Sequence, residues 1–121
     1  MKTADLIGRA LDWAAAVSEA PLVDLSPEWS RDMVGRIICG YRPSEFVTQG
    51  APLIVRGFVS AIHDPADEPG ACGVWRAFCR HDSSEFVHES WLVACLRALV
   101  HAVLGDVVMV PEMLAKHIDH P

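Results

Sequence analysis

The chain has 121 residues, 51% of them hydrophobic and 21% charged. That length suits one domain burying about two-thirds of its unfolded surface, and the apolar content excludes a disordered chain. Sixteen Asp and Glu against ten Lys and Arg leave a net charge of −6, which argues against a general nucleic-acid binder because phosphate contacts need clustered cations.

The first predicted element is a helix over Thr3–Glu19. Thr3 is its expected N-cap, Asp5 suits the positive end of the dipole, and Leu6, Ile7, Ala10, Leu11, Ala14 and Val17 recur at helical spacing. Pro21 is expected to stop it. Ser26-Pro27-Glu28-Trp29 has the form of a second helix start, a capping serine followed by proline at the first helical position. Gly35 predicts a break, after which Arg36–Cys39 reads as a helix end or a short strand. Tyr41–Gln49 reads as a turn with one short helical piece capped by Ser44, punctuated by Gly50-Ala51-Pro52.

Phe58–His63 and Val74–Cys79 are β-rich runs joined by the acidic, Pro/Gly-rich loop 64–70, and the simplest arrangement is an antiparallel pair. Ser90–Leu104 is the second strong helix, ended by Gly105. It is apolar almost all round, with Arg97 and His101 marking its one polar stripe. Such a helix is central to a core or covered by a partner, which makes a homodimer an expectation. Val107–Val110 reads as a third strand, and Pro111–Lys116 as a final helical turn. The resulting fold class is α+β: two long helices packed on a small, mainly antiparallel sheet, in a single domain over 1–121.

The N-terminal residues lack the apolar core of a signal peptide, and no uncharged apolar run approaches the ~20 residues that span a bilayer. Cys39, Cys72, Cys79 and Cys95 include no CxxC pair and no disulfide-scaffold spacing. A reduced, cytoplasmic setting without membrane association is expected.

Cys72, Cys79, His81 and His88 have metal-ligating side chains, but at intervals of seven, two and seven residues. Zinc sites usually bring paired ligands from a tight turn, so core cysteine plus surface histidines is preferred, and no metal or cofactor is expected. The same residues offer a Cys–His nucleophile pair, but no orienting or oxyanion-hole motif accompanies them. Cys39 and Cys95 lie among apolar residues and read as packing groups. Asp64, Asp67 and Glu68 belong to a solvated loop, and His117 with His120 to a frayed terminus. No phosphate-binding glycine loop, dinucleotide fingerprint or GxSxG elbow occurs. Trp13, Trp29, Trp75 and Trp91 are expected as core anchors rather than a base-stacking platform. The candidate binding residues are Tyr41, Ser44 and Gln49, polar groups in a turn-rich stretch, together with Arg97. For the turn residues, service to the turn's own geometry is the competing and preferred explanation.

Three blocks carry a resemblance. Met1-Lys2-Thr3-Ala4-Asp5-Leu6 with Ala10-Leu11-Asp12-Trp13-Ala14 opens the chain, and Tyr41-Arg42-Pro43-Ser44 precedes Gln49-Gly50-Ala51-Pro52-Leu53-Ile54. Leu92-Val93-Ala94-Cys95-Leu96-Arg97-Ala98 runs on through Gly105-Asp106 to Val110-Pro111-Glu112. In order and spacing these blocks resemble the phage NinX-like family, small phage and prophage proteins of unassigned activity. The family usually carries Asp-Trp where this chain has Phe46-Val47, and its second glycine is Ala51 here. The resemblance implies a phage or prophage origin and a host-cytoplasmic setting, and it implies no reaction. The expected function is that of a non-enzymatic accessory protein binding a host or phage protein. The alternative is a small enzyme or ligand-binding protein with a pocket near Tyr41–Gln49.

Overall fold

The computed structural model describes residues 1–20, 26–80 and 82–115. A 3-10 turn, Thr3–Asp5, leads into α1 (Gly8–Glu19), followed by α2 (Pro27–Ile38) and α3 (Val47–Arg56). Strands β1 (Val59–Asp64), β2 (Val74–Cys79) and β3 (Glu85–His88) come next, then α4 (Trp91–Leu104) and the short α5 (Glu112–Ala115). α1 ends at Glu19, where the first helix is expected to stop, while Pro21 itself, the end of the last turn at Lys116, and His81, His117 and His120 lie outside the described residues.

The fold class is α+β, with a three-stranded antiparallel sheet ordered β1-β2-β3. The expectation of two long helices is corrected, since α1, α2, α3 and α4 have 12, 12, 10 and 14 residues. Gly35 does not break α2. Its neighbours continue the backbone hydrogen bonding to Ile38, and Ser26 caps the helix by accepting from the Trp29 N–H at 3.1 Å.

Gly50-Ala51-Pro52 is likewise inside α3 rather than between elements. Packing explains the glycine: a Cβ there would lie 2.3 Å from the Pro43 carbonyl oxygen and 2.7 Å from Leu92 Cδ2. The close approach of α3 to the loop before it and to α4 therefore selects Gly50. Ser44 caps no helix, because α3 begins after Phe46 without a side-chain cap.

The first helix begins later than its apolar spacing predicts. Ile7 is extended and Gly8 takes φ 57°, a left-handed conformation that costs glycine little. Thr3 does not act as an N-cap. Its Oγ1 donates to the Gly105 carbonyl at 2.6 Å and its N–H to the Asp106 carbonyl at 2.8 Å, so it ties the N-terminus to the end of α4. The same tie decides the fate of Val107–Val110. Val107 bridges antiparallel to Lys2 instead of joining the sheet, and the third strand is Glu85–His88.

α4 lies at the centre. It packs against α1, α3 and all three strands, and Leu92, Val93, Ala94, Cys95, Leu96, Ala98, Leu99 and Val100 are buried. The inner sheet face adds Val59, Ala61, Trp75, Ala77 and Phe86 to this core. The apolar residues of α4 from Leu92 to Val100 are thus absorbed within its own chain, while Ala102 and Val103 in its last turn stay exposed. A second cluster joins α1, α2 and α5 through Trp13, Ile37 and Leu114, with Trp29, Tyr41 and Val110 against it. Trp13 and Trp29 meet at 5.7 Å between ring centroids, and the Trp13 indole N–H donates to the Met109 carbonyl at 3.1 Å. All four tryptophans pack against these clusters, as anchors do.

Candidate functional site

The stretch 41–49 is organised by a buried acid on α1. Asp12 is 1% exposed, and its Oδ1 accepts from the Ser44 N–H at 2.8 Å. Burial pushes its carboxyl up to about 6 against the opposing effect of hydrogen bonding by Ser44. Gln49 closes the same loop, its Oε1 accepting from the Arg42 N–H at 2.6 Å. Tyr41 packs into the cluster between α1 and α2, and burial raises its phenol above the ordinary value.

Arg97 is placed elsewhere, with its Nε donating to the Leu6 carbonyl at 2.7 Å across the junction before α1. Of the four sequence-named residues, Tyr41 and Ser44 therefore share one loop, Gln49 reaches that loop from the first turn of α3, and Arg97 pins a different one. Ser44 lines an open cleft of about 390 Å³ with Ile7, Gly8, Glu45, Ser90, Leu92 and Val93, and the other three are outside that lining. The hydrogen bonds of Gln49 and Arg97, and that of the Ser44 backbone, go to the protein's own groups. Asp12 is the organising residue that sequence reasoning missed. Its signal was an acid inside the apolar run Ala10-Leu11-Asp12-Trp13-Ala14.

The cysteines and histidines divide. Cys79 is buried, with its thiol donating to the Gly57 carbonyl at 3.2 Å, whereas Cys72 is exposed. His88 accepts from the Ser90 N–H through Nδ1 at 2.8 Å, and burial lowers its pKa. Among the described residues no group of three or more His, Cys, Asp or Glu could hold a metal ion. Cys39 corrects its expectation as a packing group: it is exposed at the end of α2, while Cys95 is buried with its thiol pushed up to about 12.

His101 is held by two carboxylates. Its Nδ1 donates to Asp82, in the connection between β2 and β3, and its Nε2 to Asp106, just after α4. The Asp82 hydrogen bond, with Asp106 adding to it, holds the imidazole above its ordinary value, and the same bond holds Asp82 below its own. Asp82 also accepts from the Ser84 N–H at 3.0 Å, which shapes the turn into β3. A cleft of about 530 Å³ opens beside the ring, between Lys2, Thr3, Phe86 and Val107. With a carboxylate at each nitrogen, the ring's charged form is favoured and the imidazole serves as a clamp rather than a free base. In the sequence His101 stood out as a polar residue on an apolar helix; the two aspartates are brought to it by tertiary structure.

The outer face of the sheet carries no covering layer among the described residues. β2 is central, and its alternation puts Ala77 inward and Arg76 and Phe78 outward. Ile62 pairs with Arg76 and Arg76 with Val87, while Ser60, Phe78 and Glu85 form the adjacent row. Ile62, Phe78 and Val87 are 48%, 37% and 49% exposed. Arg76 lies between Asp64 at 2.5 Å and Glu85 at 3.8 Å, a charged stripe across an apolar surface. At the end of this face Phe58 is 60% exposed, and the Arg80 guanidinium sits 5.7 Å from its ring centroid. No protein-family model matches the chain, and a search of curated proteins returns no match.

Proposed function

We propose that this chain is a phage or prophage accessory protein, resident in the host cytoplasm, that works as a non-enzymatic protein-interaction module through the outer face of its sheet. The observation carrying this reading is the outward set Ile62, Phe78 and Val87, three large apolar side chains on one sheet face, one from each strand around the central Arg76, with a third to a half of their surface in water. Lone exposed apolar residues are ordinary, but three on one uncovered face, interleaved with charged groups, offer both the apolar area and the polar anchors of a docking surface. Arg76, with Asp64 and Glu85, supplies polar groups that give such a surface register. The phage origin rests on the three sequence blocks. The same face could serve a second copy of this chain as well as a different protein.

The test places a photo-cross-linking amino acid at Ile62, and at the exposed Asp32 on α2 as control, in a bacterial host. A discrete cross-linked species from position 62 and none from position 32 is expected. Mass spectrometry separates a second copy from a different protein. Equal or absent cross-linking at the two positions would refute the outer face as a docking surface.

A further inference from the structure

The corner where α3 turns into β1 has three features that packing alone does not require. Phe58 has φ 55°, a left-handed backbone conformation rare for an aromatic residue, and the residue is 60% exposed. Glycine normally takes that position after a helix. Here the glycine is one residue earlier, at Gly57, where a Cβ would come within 2.5 Å of Leu99 Cδ1. The chain therefore spends its glycine on helix packing and holds a phenyl ring out to solvent at the next position. Arg80 lies directly across the ladder: its N–H donates to the Phe58 carbonyl at 3.1 Å and its guanidinium covers the ring. Among the described residues that guanidinium has no carboxylate partner. Asp82, the acid lining the same cleft, is already engaged by His101 and the Ser84 N–H. With Phe78 opposite, the cleft measures about 510 Å³.

We propose that this corner is a recognition pocket for an extended peptide carrying a carboxylate next to a large apolar or aromatic side chain, an assignment that rests on the interaction surface proposed above and names its partner's chemistry. The apolar side chain enters between Phe58 and Phe78. The carboxylate takes the guanidinium of Arg80, whose fork can donate to both carboxylate oxygens while its face stays on the ring. β1 is an edge strand, so an extended segment can run along it to reach the corner. Charge selects the occupant: in a chain of net charge −6, this corner presents a guanidinium that pairs with no carboxylate among the described residues.

The experiment titrates the isotopically labelled full chain with acetyl-Gly-Phe-Asp-Gly-amide and with the Asn and Ala-Asp analogues, following backbone amide shifts. Shifts centred on Phe58–Ser60 and Phe78–Arg80 are expected, with the Phe-Asp peptide binding at least about fivefold tighter than Phe-Asn, as a charge-assisted pair predicts. The Ala-Asp peptide should bind more weakly than Phe-Asp. Arg80→Gln should erase the Asp-over-Asn preference and Arg80→Lys should keep part of it, with the rest of the spectrum unchanged. Equal affinity for the Asp and Asn peptides, or shifts centred elsewhere, overturns the pocket, as does the absence of any shift. The failures remain separable: cross-linking from Ile62 that persists while the peptides fail leaves the docking face standing and removes only this pocket.

Discussion

Replacing Asp12 by Asn tests whether the buried acid is the centre of the loop 41–49. The carboxyl is 1% exposed and its pKa is raised from 3.8 to about 6, so folding favours its protonated form. A raised carboxyl contributes stability that is present below the unfolded value and lost as pH rises through the folded one. At pH 7.5 the charge costs the native state about 3 kcal/mol and at pH 4.5 about 1 kcal/mol, so about 2 kcal/mol separates the two conditions. Asn keeps an oxygen able to accept from the Ser44 N–H but cannot ionise. Any packing penalty from its amide is common to both pH values and cancels in the comparison. Urea unfolding of both proteins at pH 4.5 and 7.5 should therefore show Asp12→Asn gaining about 2 kcal/mol on the parent over that interval. An equal stability difference at both pH values would mean the carboxyl carries no such strain, and the description of Asp12 as a buried ionisable anchor would fall.

The His101 clamp carries the opposite sign. Its raised pKa means that its contribution is complete below the ordinary histidine value and lost as pH rises through the folded one, while Asp82's is lost as pH falls through its lowered value. Asp82→Asn should accordingly lower the His101 titration midpoint seen by NMR and cost about 1–2 kcal/mol near pH 6, with less cost at pH 9. Asp106→Asn should move the midpoint less, because that side chain is 89% exposed and its ion pair is screened. An unchanged midpoint in Asp82→Asn would remove the clamp. Gly50→Ala should destabilise by about 1–3 kcal/mol despite alanine's higher helix propensity, since the added methyl meets Pro43 and Leu92. A stabilised Gly50→Ala variant in thermal unfolding would contradict the close packing of α3.

Local chemistry by itself determined much of this protein. Ser26 with Pro27, the run Val74–Cys79 and the Ser90 cap of α4 are decided by caps, alternation and periodicity within a few residues, and they appear where those signals put them. The apolar run of α4 predicted a central or covered helix, and its own chain buries the part from Leu92 to Val100. Tertiary structure decided what depends on residues far apart in the chain. Gly50-Ala51-Pro52 reads as punctuation locally, yet Gly50 is there to admit Pro43 and Leu92 into contact with a helix. Val107–Val110 has strand propensity, but Lys2 and Met1 capture its backbone before the sheet can. Asp12 with Ser44, and Asp82 with His101 and Asp106, become sites through contacts spanning up to 32 residues of sequence. The outer sheet face was hidden for a related reason: alternation shows that a strand has two faces, but only the packed layers show which one α4 buries and which one is left to water.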